Sequence, residues 1–238
     1  MAIYAASDLH GYPLSRFKRL LEKVGFNDED TLYILGDVID RNGDGGVAML
    51  RWIMDTPNVN MILGNHEDML LKCGFLFNEI TETSIDALGP ADFKHYERYM
   101  RNGGGVTVDN LHRLRRREPE AIGDILDFLR ELPLYAAVSV NNRDFILVHA
   151  GLGEFAPDKK LSEYLPFELL WTRPTLDTDY FDDIITVFGH TPSWYYGEEL
   201  AGGVIRTRTW INIDAGAADG RTEPALLRLD DLEAVFNR

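Results

Sequence analysis

The feature that most restricts this chain is a series of short apolar runs, each stopped abruptly by a polar turn. "AIYAAS" runs into Asp8-Leu9-His10-Gly11, "TLYIL" into Gly36-Asp37 and "VNMIL" into Gly64-Asn65-His66. Further along, "DFILV" meets His149-Ala150-Gly151, "IITVF" meets Gly189-His190-Thr191, and "WINI" meets Asp214-Ala215-Gly216. Runs of this length, bounded by turn formers, read as buried strands. Between the first three lie helical patterns. "PLSRFKRLLEKVG" puts Leu14, Phe17, Leu20, Leu21 and Val24 on one face, with Pro13 near its start and Gly25 at its end, and "GGVAMLRWIMDT" behaves likewise. Strand–helix alternation predicts an α/β fold.

From about residue 67 to 135 the pattern changes. "EDMLLKCGFLFNEI", "ADFKHYERYMRN" and "EAIGDILDFLREL" carry apolar residues at helical spacing, without a convincing strand. The expectation is a helical insertion packed on the sheet, inside a single domain spanning 1–238. Gly103–Gly105 marks a sharp bend between two of its helices.

Composition narrows the function. A formal net charge of −15 argues against nucleic acid and anionic membrane surfaces as partners. An anion-binding site in such a chain needs its own local positive charge. Cys73 is the single cysteine, which excludes an internal disulfide and suits a reducing compartment. No apolar stretch approaches the ~20 residues of a membrane span, and "MAIYAASD" lacks the basic start of a signal peptide. The expectation is a cytoplasmic protein.

Asp8, His10, Asp37, Asn65, His149 and His190 all follow strands, and in open α/β sheets functional groups gather at the carboxyl ends. Any one of these turns alone reads as an ordinary polar turn. Their recurrence at successive strand ends does not. His95 and His112 lie in helical segments and read as surface or packing residues. Carboxylate, amide and imidazole donors with no thiolate suit Mn²⁺, Fe, Zn²⁺ or Co²⁺ and disfavour a structural zinc cage. Asp8 and His10 alternate along one extended stretch, so both can face one ion, and Asp37 is placed to bridge two. Asn65 and two neutral histidines can complete the ligand set of the second ion. Two carboxylates against two divalent cations leave a charge of about +2, enough to hold a phosphate in an acidic protein.

Taken in order, "SDLHG", "LGDVIDR", "LGNHE", "VHAG" and "FGHT" resemble the motif series of the calcineurin-like metallophosphoesterases, and more closely the bacterial branch of the phosphoprotein phosphatases. The motifs run from residue 7 to 191, and "WINIDAGAADG" extends the likeness to about residue 220. The resemblance implies a β-sandwich of mixed sheets flanked by helices, with a metal pair at the strand ends. It implies Asp8, His10 and Asp37 on one ion, and Asp37, Asn65, His149 and His190 on the other. His66 would be a general acid, and Asp40 would hold its imidazole in the right tautomer. Arg41 and Arg173 would grip phosphate through their planar forks. The local alternative for "GNHE" is a helix start capped by Asn65, with Glu67 and Asp68 complementing the dipole.

The chain departs from the family pattern in places. Ser7 stands where glycine is usual, and Asn42 follows Arg41 where glycine is again usual. Asn tolerates a left-handed backbone better than most residues, so the loop is expected to survive the change, with the placement of Arg41 the detail it affects. The long cysteine-containing C-terminal loop of the eukaryotic branch is missing. The basic run Arg113–Arg117 reads as a solvated helix face or a docking patch for acidic substrates. Trp194-Tyr195-Tyr196 reads as a packed loop or as a wall of the substrate groove.

The reading these features support is a metal-dependent phosphomonoester hydrolase working through a bridging hydroxide, with a phosphorylated protein or peptide as substrate. Its cofactors would be two divalent ions, Mn²⁺ foremost, then Fe or Zn²⁺. "GNHE" and "DVIDR" favour a serine/threonine protein phosphatase over the alternative, a dinucleoside tetraphosphate hydrolase. A non-catalytic phosphate-binding scaffold is the reading from another class, and the complete ligand set argues against it.

Overall fold

A computed structural model describes residues 1–220 and 222–237. The expected strands form: β1 (Ile3–Ala6), β2 (Thr31–Ile34), β3 (Val59–Met61), and farther on β5 (Arg143–Val148), β6 (Ile184–Phe188) and β8 (Trp210–Asn212). Four more complete the sheets: β4 (Tyr135–Val140), β7 (Ile205–Arg206), β9 (Leu226–Arg228) and β10 (Ala234–Val235). The first sheet has the order β10-β9-β1-β2-β3 and the second β4-β5-β6-β8-β7. Within the first, β1, β2 and β3 run parallel, with Ala6 opposite Ile34 and Ile34 opposite Met61. Within the second, β5, β6 and β8 run parallel, with Leu147 opposite Val187 and Phe188 opposite Asn212. The remaining strands pair antiparallel, β9 and β10 beside β1 in the first sheet and β4 and β7 at the two edges of the second. In both sheets the parallel strands therefore end level with one another, so their terminal turns crowd one rim.

Side-chain alternation decides which core each residue enters. Ala5, Leu35, Ile62 and Leu227 face Phe145, Leu147, Val187 and Ile211 to make the dry layer between the sheets. Tyr4, Ala6, Leu32 and Ile34 point the other way, into helices. Those helices are α1 (Leu14–Lys23), α2 (Val47–Met54), α3 (Asn65–Lys72), α4 (Glu82–Asp86), α5 (Pro90–Arg101), α6 (Gly105–Arg115) and α7 (Ala121–Glu131). Phe17 and Leu20 from α1, Leu50 and Ile53 from α2, and Ile125 and Leu129 from α7 share this core. On the far side, Val148, Phe188 and Trp210 pack under Leu169 of α8 (Pro166–Leu170) and Tyr180. Sheets covered on both faces match the expected α/β sandwich.

The insertion begins at Asn65 and its last helix ends at Glu131. "EDMLLKCGFLFNEI" is not one helix. α3 stops at Cys73 and a single 3₁₀ turn, Gly74–Phe77, follows, because a glycine just past the last periodic residue is a poor continuation. The bend at Gly103–Gly105 is present, with Gly103 at φ 95° and Gly104 lying against the ring of Tyr99. Among the described residues no helix is long and apolar enough to cross a membrane.

Candidate functional site

The turns after β1, β2, β3, β5 and β6 converge at one rim and bring all six strand-end residues together. The backbone there is unusual. Asp8, His10, Asp37, Asp40, Arg41 and His190 sit at φ 53°, 41°, 54°, 78°, 66° and 64°. Left-handed non-glycine residues cost on the order of 1 kcal/mol or more each and persist only where their surroundings hold them. Asp8 and His10 are therefore not on the extended stretch that their spacing predicts. The chain curls after Ala6, and the curl brings both side chains inward. Two glycines make room for this crowding. A Cβ on Gly64 would lie 2.3 Å from the Asp37 nitrogen, and one on Gly189 would lie 2.1 Å from Ser7 Oγ. Gly189 is thus what lets Ser7 replace the usual glycine.

Asp37 is central. Its Oδ2 faces His10 Nε2 at 3.6 Å and its Oδ1 faces His149 Nε2 at 3.4 Å. Both imidazoles are oriented from behind: His10 Nδ1 donates to the Ile39 carbonyl at 3.0 Å, and His149 Nδ1 to the Leu35 carbonyl at 2.7 Å. Burial pushes both histidines below the usual imidazole range, well below for His10. Each is therefore neutral, with its one proton committed to the backbone and the Nε2 lone pair aimed at a carboxylate. Lone pair facing lone pair across such a gap is the arrangement a cation satisfies. Asp8 Oδ1 lies 3.8 Å from His10 Nε2, and its Oδ2 accepts from the His190 amide at 2.8 Å. Asn65 does not cap α3, whose cap is Gly64; its side-chain oxygen lies 2.8 Å from His149 Nε2. His190 Nε2 is buried without any hydrogen-bond partner among the described residues, an orphan beside Asp37 and His149. Two donor groups sharing Asp37, with an unpartnered imidazole nitrogen in one, fit two divalent ions.

Burial first, then the charges of Asp8 and Glu67, pushes the Asp37 carboxyl well above the carboxylate range. A divalent cation reverses that pressure. Glu67 itself is wholly buried and accepts from the backbone nitrogens of Asp37 (2.9 Å), Val38 (2.9 Å), Ile39 (3.3 Å) and Gly64 (3.2 Å). It ties the β2 turn to the α3 start, a larger role than balancing a helix dipole.

His66 also has its Nε2 near Asp37, 3.9 Å from Oδ2. By distance His66 groups with His10 and Asp37 as a third possible ligand, but its hydrogen-bond partners set it apart from them. Its Nδ1 donates to Asp40 Oδ2 at 2.6 Å, and the Arg41 guanidinium donates to its Nε2 at 3.3 Å. A cation already serves that nitrogen. Asp40 Oδ1 in turn accepts from Tyr99 (2.9 Å) and Thr107 (2.5 Å), both from the helical insertion. Burial lifts Asp40 to about 7, against the opposing pull of those two donors. Arg41 is held by its amide to the Gly103 carbonyl at 3.2 Å. The left-handed positions of its loop are Asp40, Arg41, Gly43, Gly45 and Gly46, so Asn42 is not asked to take the glycine conformation. Asn42 instead anchors the loop by donating to the Ala218 carbonyl at 2.8 Å.

Arg173 donates to the His190 carbonyl at 3.2 Å, and with Arg41 it lines the 370 Å³ cleft over the centre. None of Arg113–Arg117 lines that cleft. Arg115 is engaged elsewhere, with the Phe77 carbonyl at 2.7 Å, and His112 packs on the Phe77 ring.

The sequence reading missed several residues. Glu67 had been noticed only as a helix-start acid. Asp214, buried after β8, lines the cleft, and burial followed by the Asp8 charge pushes its carboxyl well up. Its strand-end position was visible, but no histidine accompanied it. Tyr99 and Thr107 had no signal beyond their place beside the glycine triplet.

Residues 1–210 match the calcineurin-like phosphoesterases. The chain belongs to that family. Among curated relatives, it is 30% identical over 220 residues to the symmetrical bis(5'-nucleosyl)-tetraphosphatase of Chromobacterium violaceum, covering 90% of this chain and 64% of that one. It is 28% identical over 214 residues to the Haemophilus ducreyi protein of the same name, covering 89% and 66%. The phosphoesterase chain described here thus spans just under two thirds of the length of these relatives. Among solved structures it resembles a putative diadenosine tetraphosphatase, with TM-score 0.60 and 17% identity over 98% of this chain and 91% of that one. It also resembles a Saccharomyces cerevisiae serine/threonine phosphatase, with TM-score 0.56 and 16% identity over 100% and 79%. At those identities the likeness is one of fold.

Proposed function

We propose that this phosphoesterase hydrolyses a phosphoanhydride, and that its substrate is a dinucleoside tetraphosphate cleaved symmetrically. The observation that carries a phosphoryl-transfer reading is the shared carboxylate, with Asp37 offering one oxygen to His10 and the other to His149. Asp8, His10 and Asp37 would hold one ion, and Asp37, Asn65, His149 and His190 the other, with Mn²⁺ the first candidate. When bound, the ions supply Lewis acidity at a phosphoryl oxygen and ease the ionisation of an attacking water. The chain's own groups do the rest. Arg173, fixed by the His190 carbonyl, offers its remaining N–H groups to phosphoryl oxygens. Burial and the Arg41 charge hold the His66 imidazole well below its usual range. When substrate arrives, Arg41 exchanges Nε2 for a phosphate oxygen that neutralises its charge, which frees Nε2 to take up a proton from water. Asp40 keeps Nδ1–H pinned throughout, so the proton on Nε2 is the one that faces the leaving oxygen.

The curated relatives support the tetraphosphate over the phosphoserine ester that the motifs alone favour. The chemistry is compatible with both, because each reaction displaces an oxygen from phosphorus in line. The deciding experiment incubates Mn²⁺-loaded protein with diadenosine tetraphosphate and, separately, with phosphoserine peptides. ADP as the sole nucleotide product, formed faster than phosphate from peptide, supports the reading. ATP plus AMP, or turnover of peptide alone, sinks it.

A further inference from the structure

Directly after His190 the chain makes one 3₁₀ turn, Ser193–Tyr196, whose ends and middle behave oppositely. The ends are anchored. Ser193 is fully buried; its amide donates to the Asp214 carbonyl at 2.9 Å and its hydroxyl accepts from the Gly202 amide at 3.0 Å. Tyr196 packs its ring on Trp210 at 5.9 Å. The two middle residues stand out into the cleft, Trp194 with 43% of its surface exposed and Tyr195 with 56%.

Trp194 is exposed yet supported. Its indole lies against Gly216, where a Cβ would come within 3.3 Å of Cδ1, and the φ of 84° at that position independently favours glycine. The Arg173 guanidinium stands 5.6 Å from the Tyr195 ring centre while it donates to the His190 carbonyl. One arginine thus joins an aromatic face to the rim of the metal centre. Two large flat side chains, held from behind and left open in the cleft that Arg41 and Arg173 line, require an explanation that packing does not give.

We propose that Trp194 and Tyr195 form the stacking platform for a nucleobase, with the nucleotide's phosphates running past Arg173 to Asp37. This rests on the nucleotide reading above. A ligand that satisfies the cleft must bring a flat apolar face and a polyanion in fixed relation, and a nucleotide carries both in one covalent unit. Stacking on aromatic side chains is sequence-tolerant, because every base has a π-face. The platform therefore selects nucleotides over bare phosphates with little preference among bases.

The test compares ADP with inorganic pyrophosphate as competitive inhibitors, using hydrolysis of p-nitrophenyl phosphate as the reporter. Wild type is expected to bind ADP about ten- to hundred-fold more tightly than pyrophosphate, the scale of one stacked base. In Trp194→Ala that ratio collapses towards one, whereas Trp194→Phe, which keeps a flat ring, retains most of it. Both positions are exposed, so folding survives, as circular dichroism will verify. A ratio near one in wild type, or one unchanged in Trp194→Ala, overturns the platform. So does an equal loss of phosphoserine-peptide turnover in Trp194→Ala, which would mark a peptide groove. Failure to release ADP from diadenosine tetraphosphate, with the ADP preference intact, would remove the substrate assignment and leave the base site standing.

Discussion

The wall of the cleft built from the first sheet holds its groups with a network of charged hydrogen bonds, whereas the wall built from the second relies on single bonds to backbone carbonyls and on ring contacts. On the first side, Glu67 gathers backbone amides from two turns, and Tyr99 and Thr107 fix Asp40, which fixes His66. On the second side, His190 sits edge-on to His149 at 5.1 Å and to Trp171 at 5.8 Å, and its Nε2 has no hydrogen-bond partner among the described residues. The open aromatics Trp194 and Tyr195 continue that wall. Buried charge networks hold geometry only when every member is satisfied, and they are strongly destabilised when one is removed. Ring contacts tolerate adjustment. The first wall is thus suited to proton placement, and the second to receiving ligands of variable shape.

Breaking the first wall should have the largest effect. His66→Asn removes the proton carrier, and positioned proton transfer is worth roughly 10²–10⁴-fold. That loss is expected in full on a phosphoserine peptide, whose alkoxide leaves badly. It should be far smaller on diadenosine tetraphosphate, because a phosphate oxygen with a pKa of about 6 leaves with little help. Steady-state kcat on both substrates checks this, and equal losses would mean that His66 serves the ions or the phosphate.

Breaking the second wall at Arg173 should cost about 1.5–3 kcal/mol in kcat/KM, the scale of a charged hydrogen bond. The loss is expected on every phosphate substrate. Replacing Arg115, Arg116 and Arg117 together should leave p-nitrophenyl phosphate hydrolysis unchanged, since none lines the cleft. If that triple variant falls as far as Arg173→Ala, the boundary of the site is drawn wrongly.

Tyr99→Phe sharpens the comparison further. It removes one neutral donor from Asp40 and should cost about 0.5–1.5 kcal/mol, a few-fold to tenfold in kcat with KM unchanged. The loss should be seen where the leaving group needs a proton. A uniform loss across leaving groups would make Tyr99 a packing residue and no more.

How much of this the sequence disclosed follows the same division. The strand ends were legible because short apolar runs stop at glycine and at residues that tolerate turns, and all six polar residues they deliver converge. The β4–β5 hairpin was missed, although Asn141 and Asn142 both take left-handed φ, at 51° and 61°, in a tight two-residue turn. An Asn-Asn pair between two runs carries that signal. β4 itself, "YAAVSV", is small and half-exposed, so it lacks the apolar density that marked the others. Tyr99 and Thr107 could not be read at all. Their partner Asp40 is 59 and 67 residues away, and no local pattern encodes such a pairing.

The smallest effect concerns pH. With Asp40 lifted from an ordinary 3.8 to about 7, the folded metal-free chain keeps a proton that the unfolded chain has lost between those values. Its contribution to stability is therefore complete below about pH 4 and declines as pH rises towards 7. Thermal unfolding of metal-free protein across that range should show the decline, and Asp40→Asn should make it shallower. An unchanged slope in Asp40→Asn would place the titrating group elsewhere.

The most direct measurement counts ions. Calorimetric titration of metal-free protein with Mn²⁺ should give two ions per chain, and in Asp37→Asn the stoichiometry should drop while circular dichroism stays native and hydrolysis is largely lost. Two ions still held by Asp37→Asn, with near-normal turnover, would contradict a centre joined through that carboxylate.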